Sequence, residues 1–278
     1  MNPGTLTTLA GIAKARSGGV IGPNQGYMLQ ARLAPLLKRE GLADLEALAL
    51  RLSCPGQEAL AQDMTELLTT SESSFFRDTR PFEHLRALLP ALHAVRPPGQ
   101  PLRVWSAACS TGQEAISIAI IAAELAEAQP GLRARRIEII GTDIATAVLM
   151  RARAGLFTQF EVQRGMPFHT LVKRFTREAD GWRVRPEIAA MCRFEKWNLL
   201  GDLRALGRFD VVFCRNVLIY FDLPTKASVL GSIARNMAAD GALYLGAAET
   251  AMGVTTALVA RPGERGVYGV AQSARLPP

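Results

Sequence analysis

The chain has 278 residues, of which 49% are hydrophobic, 21% charged and 6% aromatic, and its formal net charge is +7. That balance fits one large or two modest domains with a sizeable core, and it excludes a disordered chain, a collagen and a disulfide-stapled miniprotein. The longest apolar stretch, Ala115 to Ala123 broken only by Ser117, falls far short of the ~20 residues of a membrane span. The start, MNPGTLTTLAGIAKARSGG, lacks a basic residue ahead of an apolar block, so no secretory signal and no direct membrane insertion are expected. Cys54, Cys109, Cys192 and Cys214 form no CxxC pair. They are expected as reduced thiols of a cytoplasmic protein, without a zinc or other metal site. The positive surplus favours an anionic partner. It is unevenly spread: residues 1–70 hold six Lys/Arg and six Asp/Glu, so all of the surplus lies beyond them. With no run of five basic residues and few aromatics, nucleic acid is not the expected partner.

Along the chain, residues 28–70 carry helical punctuation. Met28, Leu29, Leu33, Leu36 and Leu37 recur at three- and four-residue steps up to Gly41, and Pro35 inside that pattern predicts a kink or a split. Helices are predicted over Asp44 to Leu52 and Gln57 to Leu68, separated by Cys54-Pro55-Gly56. After Arg96-Pro97-Pro98-Gly99-Gln100-Pro101 the pattern changes. A strand at Leu102 to Ala107, a helix from about Gln113 to Ala128, a strand at Arg136 to Thr142 and a helix at Ala145 to Ala154 follow in turn. Phe175-Thr176-Arg177 and Gly181-Trp182-Arg183-Val184 read as a short antiparallel hairpin. Further strands are expected at Arg193 to Asn198, Phe209 to Cys214 and Ala242 to Leu245. The last is preceded by a helix from Pro224 to Ala238 and a turn at Asp240-Gly241, and Gly266 to Val270 is expected as a final edge strand. Strands alternating with helices imply a mostly parallel sheet covered on both faces.

Ligands of open α/β sheets sit beyond the carboxyl ends of the strands. The first strand here runs into Ser106-Ala107-Ala108-Cys109-Ser110-Thr111-Gly112-Gln113-Glu114, whose small residues let backbone approach a ligand, and an acid, Asp143, ends the second strand. Such an acid suits ribose hydroxyls. GxGxxG is absent, so a dinucleotide is disfavoured, and a phosphate-free ribose as in S-adenosylmethionine (SAM) suits the loop better. A tight strand–helix turn with a polar cap remains the alternative from the loop alone.

Five blocks in order resemble the chemotaxis receptor methyltransferase (CheR-type) family: Leu67 to Asp78 (LLTTSESSFFRD), Val104 to Glu114 (VWSAACSTGQE), Gly141-Thr142-Asp143-Ile144 with Arg151 to Phe157 (RARAGLF), Trp197-Asn198-Leu199-Leu200, and Phe209 to Asp222 (FDVVFCRNVLIYFD). Together they cover about residues 67–270. The resemblance implies an α/β fold: a small all-helical N-terminal domain (1–75), then a Rossmann-like class I methyltransferase domain (76–278) with a small antiparallel β-subdomain at about 173–192. It implies a SAM-dependent protein-glutamate O-methyltransferase that esterifies chemoreceptor glutamates and leaves S-adenosylhomocysteine. It also implies site residues. Arg77 would set the acceptor carboxylate near the methyl and Tyr220 would close the site. Ser71, Ser73, Arg77, Glu114, Asp143, Asn198, Leu199, Arg215 and Asn216 would bind the cofactor. Chemoreceptor cytoplasmic domains would be the partners, with Arg32, Lys38 and Arg39 as contact candidates.

Departures from the family pattern are Gln113 for the first acid of "GEE", Ala115-Ile116 for Pro-Tyr, and Gly246-Ala247-Ala248-Glu249 for "GHSE", which leaves Glu249 without an assigned role. The short turn at Ala179-Asp180-Gly181 points to substrate recognition without a receptor-tail peptide. Two alternatives stand beside the main reading: a non-catalytic, cofactor-sensing or docking relative, and a nucleic-acid methyltransferase. The site motif Arg215-Asn216-Val217-Leu218 lacks the Asn/Asp-Pro-Pro-Tyr of amine-directed enzymes.

Overall fold

A computed structural model describes residues 2–133 and 136–271, so the last seven residues of the expected methyltransferase domain lie outside it. The chain falls into two compact units. One comprises the residues up to Thr70 together with Tyr220–Lys226, and the other takes Ser71–Ile219 and everything from Ala227 on.

The first unit is helical: α1 (Pro3–Ser17), α2 (Gly26–Glu40), α3 (Leu45–Leu52) and α4 (Glu58–Leu68). Its core is a leucine-rich cluster that includes Leu9, Leu29, Leu33, Leu36, Leu48 and Met64. The sequence pattern did not single out α1, although its signals are physical ones. Asn2 Oδ1 accepts the Gly4 N–H at 2.9 Å, Pro3 occupies the first turn, and Leu9 and Ala13 point inward four residues apart. Of the kink or split expected at Pro35, the split does not occur, and α2 runs through it. The carbonyl that Pro35 leaves without an N–H belongs to Ala31, and both residues are exposed, so water can satisfy it. Arg32 donates to the carbonyls of Leu68 and Thr69 at 2.8 and 3.0 Å, and Arg39 pairs with Asp63 and Glu40. Of the three candidate partner contacts only Lys38 has no internal partner among the described residues. Within the same unit Lys14 pairs with Asp222 at 2.8 Å, and the Tyr220 carbonyl accepts the Val20 N–H at 2.8 Å.

The second unit is an α/β layer structure. In chain order it contains α5 (Arg80–Val95), β1 (Leu102–Ala107), α6 (Gln113–Ala128), α7 (Pro130–Arg133), β2 (Ile137–Asp143), α8 (Thr146–Ala154), β3 (Leu156–Phe157), α9 (Gln159–Gln163), α10 (Phe168–Arg174), β4 (Phe175–Glu178), β5 (Gly181–Val184), α11 (Pro186–Ala189), β6 (Cys192–Lys196), β7 (Phe209–Cys214), α12 (Leu223–Arg235), β8 (Met237–Leu245), β9 (Leu258–Ala260) and β10 (Val267–Val270). The first residues of α12 group with the helical unit. The main sheet has the order β6-β2-β1-β7-β8-β10-β9, with β6, β2, β1, β7 and β8 parallel and the last two strands antiparallel. This is the mostly parallel, Rossmann-like sheet expected from the sequence. Helix α6 is buried nearly all round, Ala115 through Ala122 without exception, because it lies against the sheet inside the main core. β4, β5 and β3 form the small antiparallel sheet, and Gly181 is required there because a Cβ would lie 2.3 Å from the Phe157 carbonyl oxygen.

Two local expectations are corrected. Asp240-Gly241 is not a turn ahead of a strand. It is an irregularity inside β8, where the register with β7 shifts between Phe209 and Val211, and a Cβ on Gly241 would lie 2.8 Å from the Asp210 carbonyl oxygen. β10 is not an edge strand: it lies between β8 and β9, and the three-residue β9 takes the edge.

Candidate functional site

Because β1, β2 and β7 are adjacent and parallel, their carboxyl ends open at the same end of the sheet. Three irregular segments are fixed there. The loop after β1 is bent through left-handed backbone at Ala108 (φ 55), Ser110 (φ 52) and Gly112 (φ 93). Asp143, at the tip of β2, holds that bend: its Oδ2 accepts the Ser110 N–H at 2.9 Å and its Oδ1 accepts the Ala145 N–H at 3.0 Å. Gly112 and Gly141 are glycines because neighbours crowd them. A Cβ would lie 2.9 Å from Ala152 Cβ in the first case and 2.6 Å from a Phe194 ring carbon in the second.

The second segment runs from Ser71 to Thr79. Phe75 anchors it in the core with edge contacts to Phe157 (5.0 Å) and Phe175 (5.7 Å), and Gly165 allows the Phe75 carbonyl to pass where a Cβ would lie 2.0 Å away. The Ser71 carbonyl accepts from Ser110 Oγ at 2.6 Å, and the Phe76 N–H donates to Ser117 Oγ at 3.0 Å. Phe76, Asp78 and Thr79 all have positive φ. With Ala108, Ser110 and Asn216 (φ 60) they make up the non-glycine positive-φ residues of the described chain, so its backbone strain is concentrated around these strand tips.

The third segment follows β7 and carries Arg215, whose side chain is 2% exposed. Its Nη1 donates to Glu114 Oε2 at 3.0 Å, and its Nη2 donates to the Arg77 carbonyl at 2.8 Å and to Asp78 Oδ2 at 2.7 Å. Its guanidinium also lies 5.7 Å from the centre of the Phe82 ring. Glu114 is held from its other side by Ser106 Oγ at 2.7 Å. Arg215 thus secures the backbone of Arg77, while the Arg77 side chain, half-buried, has no hydrogen bond or ion pair among the described residues. Nearby, the Arg164 guanidinium, 2.7 Å from Glu72, holds that carboxyl below its ordinary value, with a further contribution from the Arg77 charge. Burial drives the Cys109 and Cys214 thiols well above their ordinary range, which leaves them protonated and poor nucleophiles.

Of the residues singled out from sequence, Arg77, Glu114 and Arg215 are in one hydrogen-bonded set. Ser71 and Asp143 meet through Ser110. Asn198 and Leu199 are reached through Trp197, whose N–H donates to the Asp143 carbonyl at 3.0 Å, and Asn198 Oδ1 accepts the Leu200 N–H. Ser73 is half-buried in the Ser71–Thr79 segment, and Asn216 follows Arg215. Tyr220 groups with the helical unit. Sequence reasoning missed Ser106, Ser110, Asp78 and Glu249. The Glu249 carboxylate accepts the N–H groups of Gly246 and Asn216 at 2.7 and 2.8 Å, and Gly246 three residues before it was the available signal.

Residues 71–267 match the family model described as CheR methyltransferase, SAM binding domain. The chain belongs to the CheR methyltransferase family. It is 35% identical over 238 residues to "Chemotaxis protein methyltransferase Cher2" of Pseudomonas putida, covering 85% of this chain and 86% of that one. It is 37% identical to "Chemotaxis protein methyltransferase 1" of Pseudomonas aeruginosa (84% and 85% covered) and 36% identical to the "Chemotaxis protein methyltransferase" of Salmonella typhimurium (84% and 79%). SAM is therefore the cofactor, and the donor set at the strand tips fits it. Asp143 is half-buried at the tip of β2, where a carboxylate acceptor suits the paired hydroxyls of a ribose. No helix among the described residues is long and apolar enough to cross a membrane.

Proposed function

We propose that this CheR-family chain acts in the cytoplasm as a protein-glutamate O-methyltransferase, forming methyl esters on chemoreceptor glutamates for sensory adaptation. The observation that carries the reading is Arg77: a permanent cation whose side chain makes no hydrogen bond or ion pair among the described residues, on a strained segment whose carbonyl is fixed by a buried arginine. Bound SAM supplies an electrophilic methyl group on a sulfonium, so attack by a carboxylate oxygen forms the ester C–O bond while the C–S bond breaks and its electron pair stays on the departing neutral thioether. The acceptor is already ionised at neutral pH, so this chain needs no general base. Its task is alignment. Arg77 offers a planar fork that holds a carboxylate without taking its proton, and Tyr220 donates one hydrogen bond and shapes the approach. Asp143 takes the ribose, Asn198 and Leu199 the adenine, and Glu114, Ser71, Ser73, Arg215 and Asn216 the remaining cofactor contacts. The receptor is recognised through its methylated region, with Lys38 as the free basic contact and no dependence on a receptor-tail peptide. Strong calorimetric binding of such a peptide would overturn that last point.

The test is Arg77→Ala. Labelled-methyl transfer to receptor fragments should fall on the order of a hundredfold, while S-adenosylhomocysteine still binds. Equal transfer by variant and parent would refute the role. Cofactor binding without any transfer by the parent would favour a non-catalytic sensor.

A further inference from the structure

β7 and β8 leave the sheet side by side, at the paired residues Cys214 and Leu245. One carboxylate lies between the two departing chains. Glu249 Oε2 accepts the N–H of Gly246 at 2.7 Å and that of Asn216 at 2.8 Å, and its Oε1 accepts the N–H of Ile219 at 3.3 Å. Asn216 has left-handed backbone, φ 60, and Ile219 lies inside the 3-10 turn Leu218–Tyr220. The carboxylate thus caps a turn from outside it and pins a residue whose backbone is unfavourable on its own.

The partner of this arrangement is Gly246. A Cβ there would lie 2.7 Å from Glu249 Oε2 and 2.9 Å from both the N and Nδ2 of Asn216. The intervening turn closes through the Glu249 N–H and the Gly246 carbonyl at 2.9 Å, and Ala247 and Ala248 contribute no polar side chain. A glycine and an acid three residues apart are therefore one device. A carboxylate suits it because every group facing it is a donor. An amide with its oxygen on the Gly246 and Asn216 N–H groups would set its NH2 against the Ile219 N–H, and the flipped amide would set it against the other two.

We propose that Glu249 is a positioning residue of the methyl-transfer reaction, a carboxylate that gathers three backbone N–H groups and thereby fixes the segment from Arg215 to Tyr220. This rests on the methyl-transfer reading, since Arg215, Asn216 and Tyr220 are the site residues strung on that segment. Glu249 itself touches backbone only.

Amide hydrogen exchange followed by mass spectrometry tests the clamp, and steady-state kinetics tests its consequence. In Glu249→Gln, exchange of the peptide covering 215–220 should accelerate about tenfold or more, with β1 and α6 unchanged and the melting temperature close to the parent's. At saturating SAM, kcat should fall about tenfold to a hundredfold with little change in KM for the acceptor. Gly246→Ala should reproduce both effects, and the double variant should be no worse than either single one, because both remove the same contacts. Unchanged exchange at 215–220, or faster exchange with the parent's kcat, would overturn the proposal. A parent chain that transfers no methyl would instead overturn the reading beneath it, while the exchange measurement would still report whether the clamp exists.

Discussion

Replacing Gly112 by alanine perturbs the strand-tip loop at a point where two penalties can be separated. Gly112 caps α6 at φ 93 and ψ 0, a left-handed conformation that costs a residue with a Cβ roughly 1–2 kcal/mol. The new Cβ would also lie 2.9 Å from Ala152 Cβ, 3.1 Å from Phe194 Cζ and 3.3 Å from Ala152 Cα. Ala152 has no flexible end to swing aside, so overpacking adds about 1–3 kcal/mol, for a total of about 2–5 kcal/mol. Gly253→Ala is the matched control: its φ is 73 but nothing lies within 4 Å, so it incurs only the backbone cost. Trp105, Trp182 and Trp197 all lie in the α/β unit, so urea unfolding followed by tryptophan fluorescence reports that unit alone. With a slope of about 2–3 kcal/mol per molar urea, Gly112→Ala should lower the midpoint by about 1–2 M and Gly253→Ala by about 0.5 M, at unchanged slope. Equal shifts would refute the steric argument, and no shift in either would refute the conformational one.

Arg215→Leu should destabilise the α/β unit by about 3–5 kcal/mol in the same titration, because it strands the nearly buried Glu114 with only the Ser106 hydroxyl and removes the donor to the Arg77 carbonyl; a loss below that of an ordinary surface substitution would contradict the network. Acid stability should show the Glu127 pair. Hydrogen bonds from Arg174 and Lys173, reinforced by their charges, lower its carboxyl from 4.5 to about 2. Its contribution is therefore complete above pH 4.5 and lost as the pH falls towards 2, so Glu127→Gln should lower the melting temperature modestly at neutral pH, leave it unchanged near pH 2, and thereby flatten the acid limb of the profile within that window.

The alternation of strands and helices was legible because buried parallel strands such as Phe209–Cys214 are apolar runs broken only by Asp210 and because Gly112 and Gly155 cap the helices between them. Helix α1 was not, since Gly4, Gly11 and its threonines dilute the apolar stripe, although the Asn2-Pro3 start carries a cap signal. The edge strand β9 is three residues long, too short for a period to declare itself. At the site, the residue types were legible from their motifs and their partners were not. Nothing in the local sequence joins Arg215 to the carbonyl of Arg77, 138 positions away, or Glu249 to Asn216. Those links depend on which strands become neighbours in the sheet, a tertiary fact, and although the Gly246 and Glu249 positions of the family's "GHSE" are kept, the motif by itself assigned Glu249 no role.

The most direct measurement of the central claim is the chemistry of the transferred label. The chain is incubated with methyl-labelled SAM and chemoreceptor cytoplasmic fragments, and the modified fragments are treated with mild alkali. Release of the label as methanol, from peptides whose glutamates carry it, is the predicted result. Label that resists alkali, or sits on nitrogen, would contradict the account.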